Sequence, residues 1–318
     1  MGEGGQALIS QQAQQAFYEL FSGLPRDRGT VLSDISGEIL SKVGQGAQTA
    51  DFLAPIKKAE KIFVKRTANL SRSEQAVLRR CLVAKLAFNL PTIVEHMNLP
   101  TSILALYPDS FGRVANHLRN NIGDPYDLTD DFFLKDMRFI LGLSIPCGAQ
   151  VVDMLSSVSL SSVILSLFRS RNVIPAIRYF RVKGYGPWFR IHTESRYLTE
   201  FNEQGWDNCY MRIAELLERR KDIRGMVGTS WFYDPQLLEI SPRLAYLQQR
   251  PLERGAFLLR HGTSRFDIEH ATTTSKTQRR LYQEGKYTPI CYSLLWLRKD
   301  LISWAEQNSL GKTTVRRK

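Results

Sequence analysis

The chain has 318 residues, 43% hydrophobic and 23% charged, with a net charge of +12. At roughly 150 residues per domain this length predicts two domains, and the apolar content excludes a disordered chain. Its four cysteines, Cys81, Cys147, Cys209 and Cys291, form no C-x-x-C pair, which excludes a disulfide scaffold and a zinc ribbon and predicts a reducing, cytoplasmic setting.

The N-terminal part reads as helical. Residues 6–22 are predicted to form a helix stopped by Gly23 and Pro25, and a second runs over Val31 to Val43 before Gly44. Phe52, Ile56, Ala59 and Phe63 recur near the helical period in Asp51 to Lys65. Ser71-Arg-Ser-Glu74 is a capping box for a helix that reaches Leu90, where Pro91 breaks it. Further helices are expected at 92–97 and 101–120, and no strand before residue 137. From Met137 to Met154 β-branched and apolar residues predict one or two strands. A helix near 160–170 precedes Val173 to Val182, read as extended. Trp188 to Glu194 alternates like a strand, and Asn202 to Arg220 is an amphipathic helix with Trp206, Tyr210 and Ile213 on one side. Strands at 222–234, 255–261 and 289–297 then alternate with helices at 241–249, 272–284 and 299–307. That alternation defines an α/β sheet with packed helices. The expected organisation is a helical N-terminal half (1–136), a mixed-sheet α/β half (137–310) and a basic flexible tail (311–318).

The tail holds Lys312, Arg316, Arg317 and Lys318, four of the excess charges. The remaining positive charge suits a small anionic ligand. Nucleic acid is not expected, because no nucleic-acid-binding motif accompanies the charge. The N-terminus lacks a basic segment leading into an apolar core, so no signal peptide is predicted. The most apolar tract, Phe139 to Phe168, is interrupted by Pro146, Gln150, Asp153 and seven serines. It leaves no run of about 18 apolar residues for a membrane span.

The standard phosphate-loop, dinucleotide, zinc-protease and nucleophile-elbow motifs are all missing. Three clusters remain. His261 to His270 contains two histidines with Asp267 and Glu269, ligand types that suit zinc or iron; His192 and Glu194 complete such a site only if the sheet brings them close. Thr272 to Arg280 places Thr274, Ser275, Lys276, Arg279 and Arg280 at a helix start, where free amides and the helix dipole attract an anion. Capping by the hydroxyls alone is the simpler account of that run. The aromatic run Trp231-Phe232-Tyr233 at a strand end either packs the core or lines a site. Cys147 reads as a small buried thiol.

From about Arg224 to Arg298 the order of elements resembles the second half of the GNAT acyltransferase fold. Arg224 to Tyr233 stands where that fold has its central strand, Ser241 to Gln249 where it has a helix covering coenzyme A, and Gly255 to His261 where it has the next strand. Arg280-Leu-Tyr-Gln-Glu-Gly-Lys-Tyr287 is similar to its signature helix end. The resemblance implies an acyl-CoA donor and a small-metabolite acceptor, with Tyr282 protonating the departing thiolate. His192, Glu194 or His261 is then a candidate general base. A metal-dependent enzyme built on His192, His261 and His270, and a non-enzymatic binding protein, are the alternatives.

Overall fold

A computed structural model describes every residue except 1–2, 23–24, 26, 44–50, 52, 121–123, 170–171, 197 and 316–318; of residues 3 and 310–315 it describes only the backbone. Among the positions read above, Phe52, Gly23, Gly44 and the end of the basic tail lie outside the described residues. The chain divides into two compact units, Met1–Leu155 and Ser156–Lys318.

The first unit opens with α1 (Glu3–Phe21), α2 (Arg28–Lys42), α3 (Ala54–Thr67) and α4 (Arg72–Leu86). Ile9, Ala13, Ala16 and Leu20 of α1, Leu32, Ile35 and Ile39 of α2, and Leu78 and Leu82 of α4 are buried, each set at helical spacing. The capping box forms as expected: Ser71 Oγ accepts from the Glu74 amide at 3.3 Å and Glu74 Oε2 from the Ser71 amide at 2.9 Å. A buried Arg79–Glu60 pair, Nη2 to Oε1 2.7 Å, ties α4 to α3. The predicted single helix to Leu90 is instead α4, a short 3-10 turn and α5 (Leu90–Glu95). Pro91 sits in the first turn of α5, where its missing amide hydrogen has no partner to lose. After α6 (Thr101–Leu104) and α7 (Tyr107–Asn120), α8 spans Asp131–Ile140. Asp130 caps it, its carboxylate accepting from the Phe132 and Phe133 amides at 3.2 and 3.0 Å. Residues 137–140, expected as strand, therefore complete a helix that buries Phe133, Met137 and Ile140. Strand pairing starts later, as a hairpin of β1 (Ser144–Pro146) and β2 (Gln150–Ser156), with Gly148 at φ +91° in its turn.

The second unit begins with α9 (Leu160–Arg169) and α10 (Ile174–Arg181). The latter corrects the extended reading of 173–182: Ala176 and Tyr179, three residues apart, are its buried positions, a spacing only a helix brings to one side. Then follow β3 (Trp188–Thr193), α11 (Glu203–Arg219), β4 (Gly225–Ser230), α12 (Leu237–Ile240), α13 (Tyr246–Glu253), β5 (Phe257–Gly262), α14 (Arg265–Thr274), α15 (Lys276–Gln283), β6 (Cys291–Leu297) and α16 (Arg298–Val315). The sheet order is β3-β4-β6-β5, with β3 and β4 parallel and the other pairs antiparallel. This is the mixed-sheet α/β half expected from the sequence. One face buries Trp188, Val227, Leu259 and Leu295 against α9 and α10. On the other, Tyr210 of α11 packs edge-on against Trp296 of β6 and Trp304 of α16.

Two expectations change in detail. The strand expected over 222–234 ends at Ser230, and Trp231–Tyr233 form a 3-10 turn, with Ser230 Oγ accepting from the Phe232 amide at 3.1 Å. The helix expected over 241–249 is a 3-10 turn at Pro242–Leu244 followed by α13; α11 joins the parallel neighbours β3 and β4, and β6 separates β4 from β5.

Candidate active site

Parallel strands put their carboxyl ends at the same edge of a sheet. Here Thr193 ends β3 and Ser230 ends β4, in register through Phe189–Met226 and Ile191–Gly228. The N-terminus of α11 follows β3 closely, capped by Asn202, whose Oδ1 accepts from the Gly205 amide at 3.0 Å. In open α/β sheets this edge is where ligands bind. A cavity of about 850 Å³ lies there, lined by Thr193, Asn202, Thr229 and Ser230 and walled by the aromatic rings of Phe201, Trp231, Phe232, Tyr246 and Phe266. Arg243 supplies a positive charge, and α14 and α15 contribute Asp267, His270, Thr274, Ser275 and Gln278. The volume suits a drug- or cofactor-sized ligand.

A chain of polar side chains crosses all four strands and ends at this cavity. Arg190 on β3 donates from Nη1 to Thr229 Oγ1 at 2.9 Å, and from Nε to Ser156 Oγ at 2.7 Å. Thr229 on β4 lies directly opposite Ser293 on β6, with their hydroxyl oxygens 2.7 Å apart. Ser293 Oγ stands 2.6 Å from His261 Nε2 on β5. The register shift between Arg260 and Gly262 places His261 at an irregularity of the β5–β6 ladder. Burial holds the His261 imidazole below its ordinary pKa of 6.5, and the positive charges of Arg190 and Arg169 push the same way against the opposing Asp267. In the neutral tautomer that carries its proton on Nδ1, His261 Nε2 is an acceptor, and the order of donation then runs from Thr229 to Ser293 to His261. The chain thus connects a base inside the sheet to a hydroxyl, Thr229, on the cavity wall.

Gln278 is the second unusual feature. Its side chain is fully buried, faces the cavity, and neither amide atom has a hydrogen-bond partner among the described residues. A buried amide left in this state costs about 1–3 kcal/mol, which a ligand offering a donor and an acceptor would remove.

The residues singled out from the sequence divide clearly. His270, Thr274 and Ser275 line the cavity; the His270 ring lies against Phe266, with centroids 4.0 Å apart. His261 reaches the cavity through the polar chain. His192 sits on β3, half-buried, two residues from Arg190 and on the same strand face. Glu194 is buried, with both carboxylate oxygens taken by Arg196 at 3.0 and 2.9 Å. The expected single helix over 272–284 is broken at Ser275, which caps α15 by accepting from the Gln278 amide at 3.3 Å. Lys276, Arg279 and Arg280 are exposed and do not line the cavity: Arg279 donates back to the Thr272 and Thr273 carbonyls, and Arg280 approaches Glu284. Tyr282 is 39% exposed on α15 and is likewise outside the lining. Asp267 is engaged in the capping box of α14, where its Oδ2 accepts from Ser264 Oγ at 2.6 Å, and Glu269 is exposed. Among the described residues no three His, Cys, Asp or Glu side chains gather as a metal-binding group. Thr229, Ser293, Arg190, Arg243 and Gln278 escaped the sequence reading. The only sequence signal was a serine or threonine in each of two largely apolar strands, and nothing marked Arg190, Arg243 or Gln278.

The fold and cavity define an α/β protein with a ligand crevice at the end of a parallel strand pair. The chain shares its fold with an acyltransferase of known structure, a mutant in complex with octanoyl-CoA: the TM-score is 0.55 at 13% identity, over 93% of this chain and 88% of that one. An acyltransferase in complex with decanoyl-CoA is similar at a TM-score of 0.48 and 14% identity, over 90% of this chain and 99% of that one. No protein-family model matches the sequence, and no curated protein matches it.

Proposed function

We propose that the second unit is a GNAT-like acyltransferase that moves an acyl group from an acyl-CoA donor to a small nucleophilic acceptor. The observation that carries this reading is the aromatic-walled cavity at the carboxyl ends of β3 and β4, with the Thr229–Ser293–His261 chain opening into its wall. The shared fold with an octanoyl-CoA-bound acyltransferase supports it. In this reading the GNAT-like parallel pair and its crossover helix are β3, α11 and β4, upstream of the segment that carried the sequence resemblance. The helix-start pattern at 272–280 pointed to the donor's anion-binding residues there, whereas in the cavity Arg243 offers the charge and Gln278 the amide for it.

In this mechanism the acceptor's nitrogen or oxygen attacks the thioester carbonyl. Its proton passes to Thr229, while the Thr229 proton moves to Ser293 and the Ser293 proton to His261 Nε2. The carbon–sulfur bond then breaks, and the thiolate leaves and takes a proton from water. No covalent acyl-enzyme forms.

Donor binding is tested by thermal unfolding with acetyl-CoA, octanoyl-CoA and free coenzyme A. A donor at 100 times its Kd should stabilise by about 2.7 kcal/mol. The aromatic walls predict a larger shift for octanoyl- than for acetyl-CoA, since each buried CH2 adds about 0.8 kcal/mol. No shift with any donor at millimolar concentration overturns the reading.

Gln278→Leu separates ligand recognition from stability. Replacing an unpaired buried amide by an apolar group of similar shape should leave the melting temperature unchanged or raise it. Donor affinity should fall about tenfold, the value of one charged or amide hydrogen bond. A variant that is less stable and binds donor normally would show that Gln278 serves the fold alone.

A further inference from the structure

The helices α9 and α10 are apolar on two sides. Inward, Val163 and Leu167 of α9 and Ala176 and Tyr179 of α10 pack on the sheet. Outward, Leu160, Ile164 and Phe168 of α9 are 49%, 47% and 84% exposed, and Ile174, Ile177 and Phe180 of α10 are 68%, 45% and 45% exposed. Exposed apolar side chains clustered on two neighbouring helices mark an interaction surface.

Charge identifies what covers it. From Met154 to Thr193 the chain has no Asp or Glu, and it has six basic residues: Arg169, Arg171, Arg178, Arg181, Lys183 and Arg190. Arg178 is used internally, donating to the Gly255 carbonyl and pairing with Asp300 of α16. Arg181 and Lys183 are exposed beside the apolar face. A second copy of this surface would meet it with like charge. A folded protein partner needs a concavity matched to these projecting side chains, whereas a fluid bilayer interface adapts to them. No described helix is long and apolar enough to cross a membrane.

We propose that the α9–α10 face docks on an anionic lipid bilayer, its apolar residues entering the headgroup–acyl boundary and Arg181 and Lys183 meeting lipid phosphates. This stands independently of the acyl-transfer reading.

The full-length protein is tested by flotation with vesicles of phosphatidylcholine and phosphatidylglycerol in equal parts, against pure phosphatidylcholine vesicles. Binding to the anionic vesicles is expected, weakened by added salt because screening shortens the reach of the basic residues. Phe168→Ser with Ile174→Ser should lower the partition coefficient at least tenfold. Its melting temperature should stay within about 2 °C of the parent, since both side chains are exposed. Arg181→Glu should lower binding to anionic vesicles alone. Absence of binding to anionic vesicles, or equal binding by the double variant, overturns the proposal. So does sedimentation showing a dimer that Phe168→Ser with Ile174→Ser dissolves, with no vesicle binding: the occupant is then a second copy.

Discussion

His261→Gln is expected to lower kcat for acyl transfer by about 10²- to 10⁴-fold, the range lost with a general base, while donor Kd stays within twofold. His261 is bonded to Ser293 and is not itself one of the lining residues, so its removal should interrupt proton transfer rather than binding. Ser293→Ala and Thr229→Val break the same chain at its two hydroxyls and should give losses of similar size. Their effects should not add, because each break already isolates the base. The Tyr282→Phe variant, altered outside the cavity lining, is the control and should retain turnover.

The pH profile follows from the lowered pKa of His261. The imidazole must be neutral to accept a proton, so activity should fall on the acid side, with a midpoint below 6.5, and stay level above it. Stability carries the same sign. The folded state binds this proton more weakly than the unfolded chain does, so the contribution of His261 is complete above pH 6.5 and is lost as pH falls toward the folded pKa. His261→Gln should flatten both acid limbs. Normal turnover in this variant, with an unchanged acid limb, removes His261 from the reaction.

Asp153→Ala is expected to destabilise the first unit by about 3–5 kcal/mol, the usual result of leaving one partner of a buried ion pair alone. Arg138 and Asp153 are 3% and 2% exposed, and Arg138 Nε donates to Asp153 Oδ1 at 3.0 Å. Ser144, opposite Asp153 in the β1–β2 hairpin, donates its hydroxyl to the same oxygen at 2.5 Å. The cluster joins the last turn of α8 to both strands. Removing the carboxylate takes from Arg138 and Ser144 a buried acceptor that water cannot readily replace. At about 2–4 °C per kcal/mol for a unit of this size, the melting temperature should drop by about 10 °C. Combining Arg138→Met with Asp153→Leu should recover most of the loss, because the cost lies in the unpaired charge and not in the missing attraction. A small loss in Asp153→Ala, or no recovery in the double variant, would show that the pair is not the link between helix and hairpin.

What lay in the sequence was whatever a few neighbouring residues decide. Ser71 and Glu74 contain their own capping box, and the apolar stripe of Trp206, Tyr210 and Ile213 fixes α11 whatever it packs against. The alternation of strands and helices after residue 188 was enough for the mixed α/β class. Tertiary packing decided the rest. Residues 173–182 carry β-branched side chains that read as strand, yet Ala176 and Tyr179 are buried from one helix side. Residues 137–140 became helix because Asp130 caps that segment seven positions upstream. The candidate site is the clearest case. Arg190, Thr229, Ser293 and His261 lie 32 to 64 residues apart along each hydrogen-bonded step, and only the order β3-β4-β6-β5 sets them in line. The basic run at 276–280 looked like the anion site by proximity in the chain. The break at Ser275 instead turned Lys276, Arg279 and Arg280 to solvent and buried Gln278 at the cavity. Local sequence sets which backbone hydrogen bonds close within a turn, whereas a site built across strands exists only once pairing has chosen its neighbours.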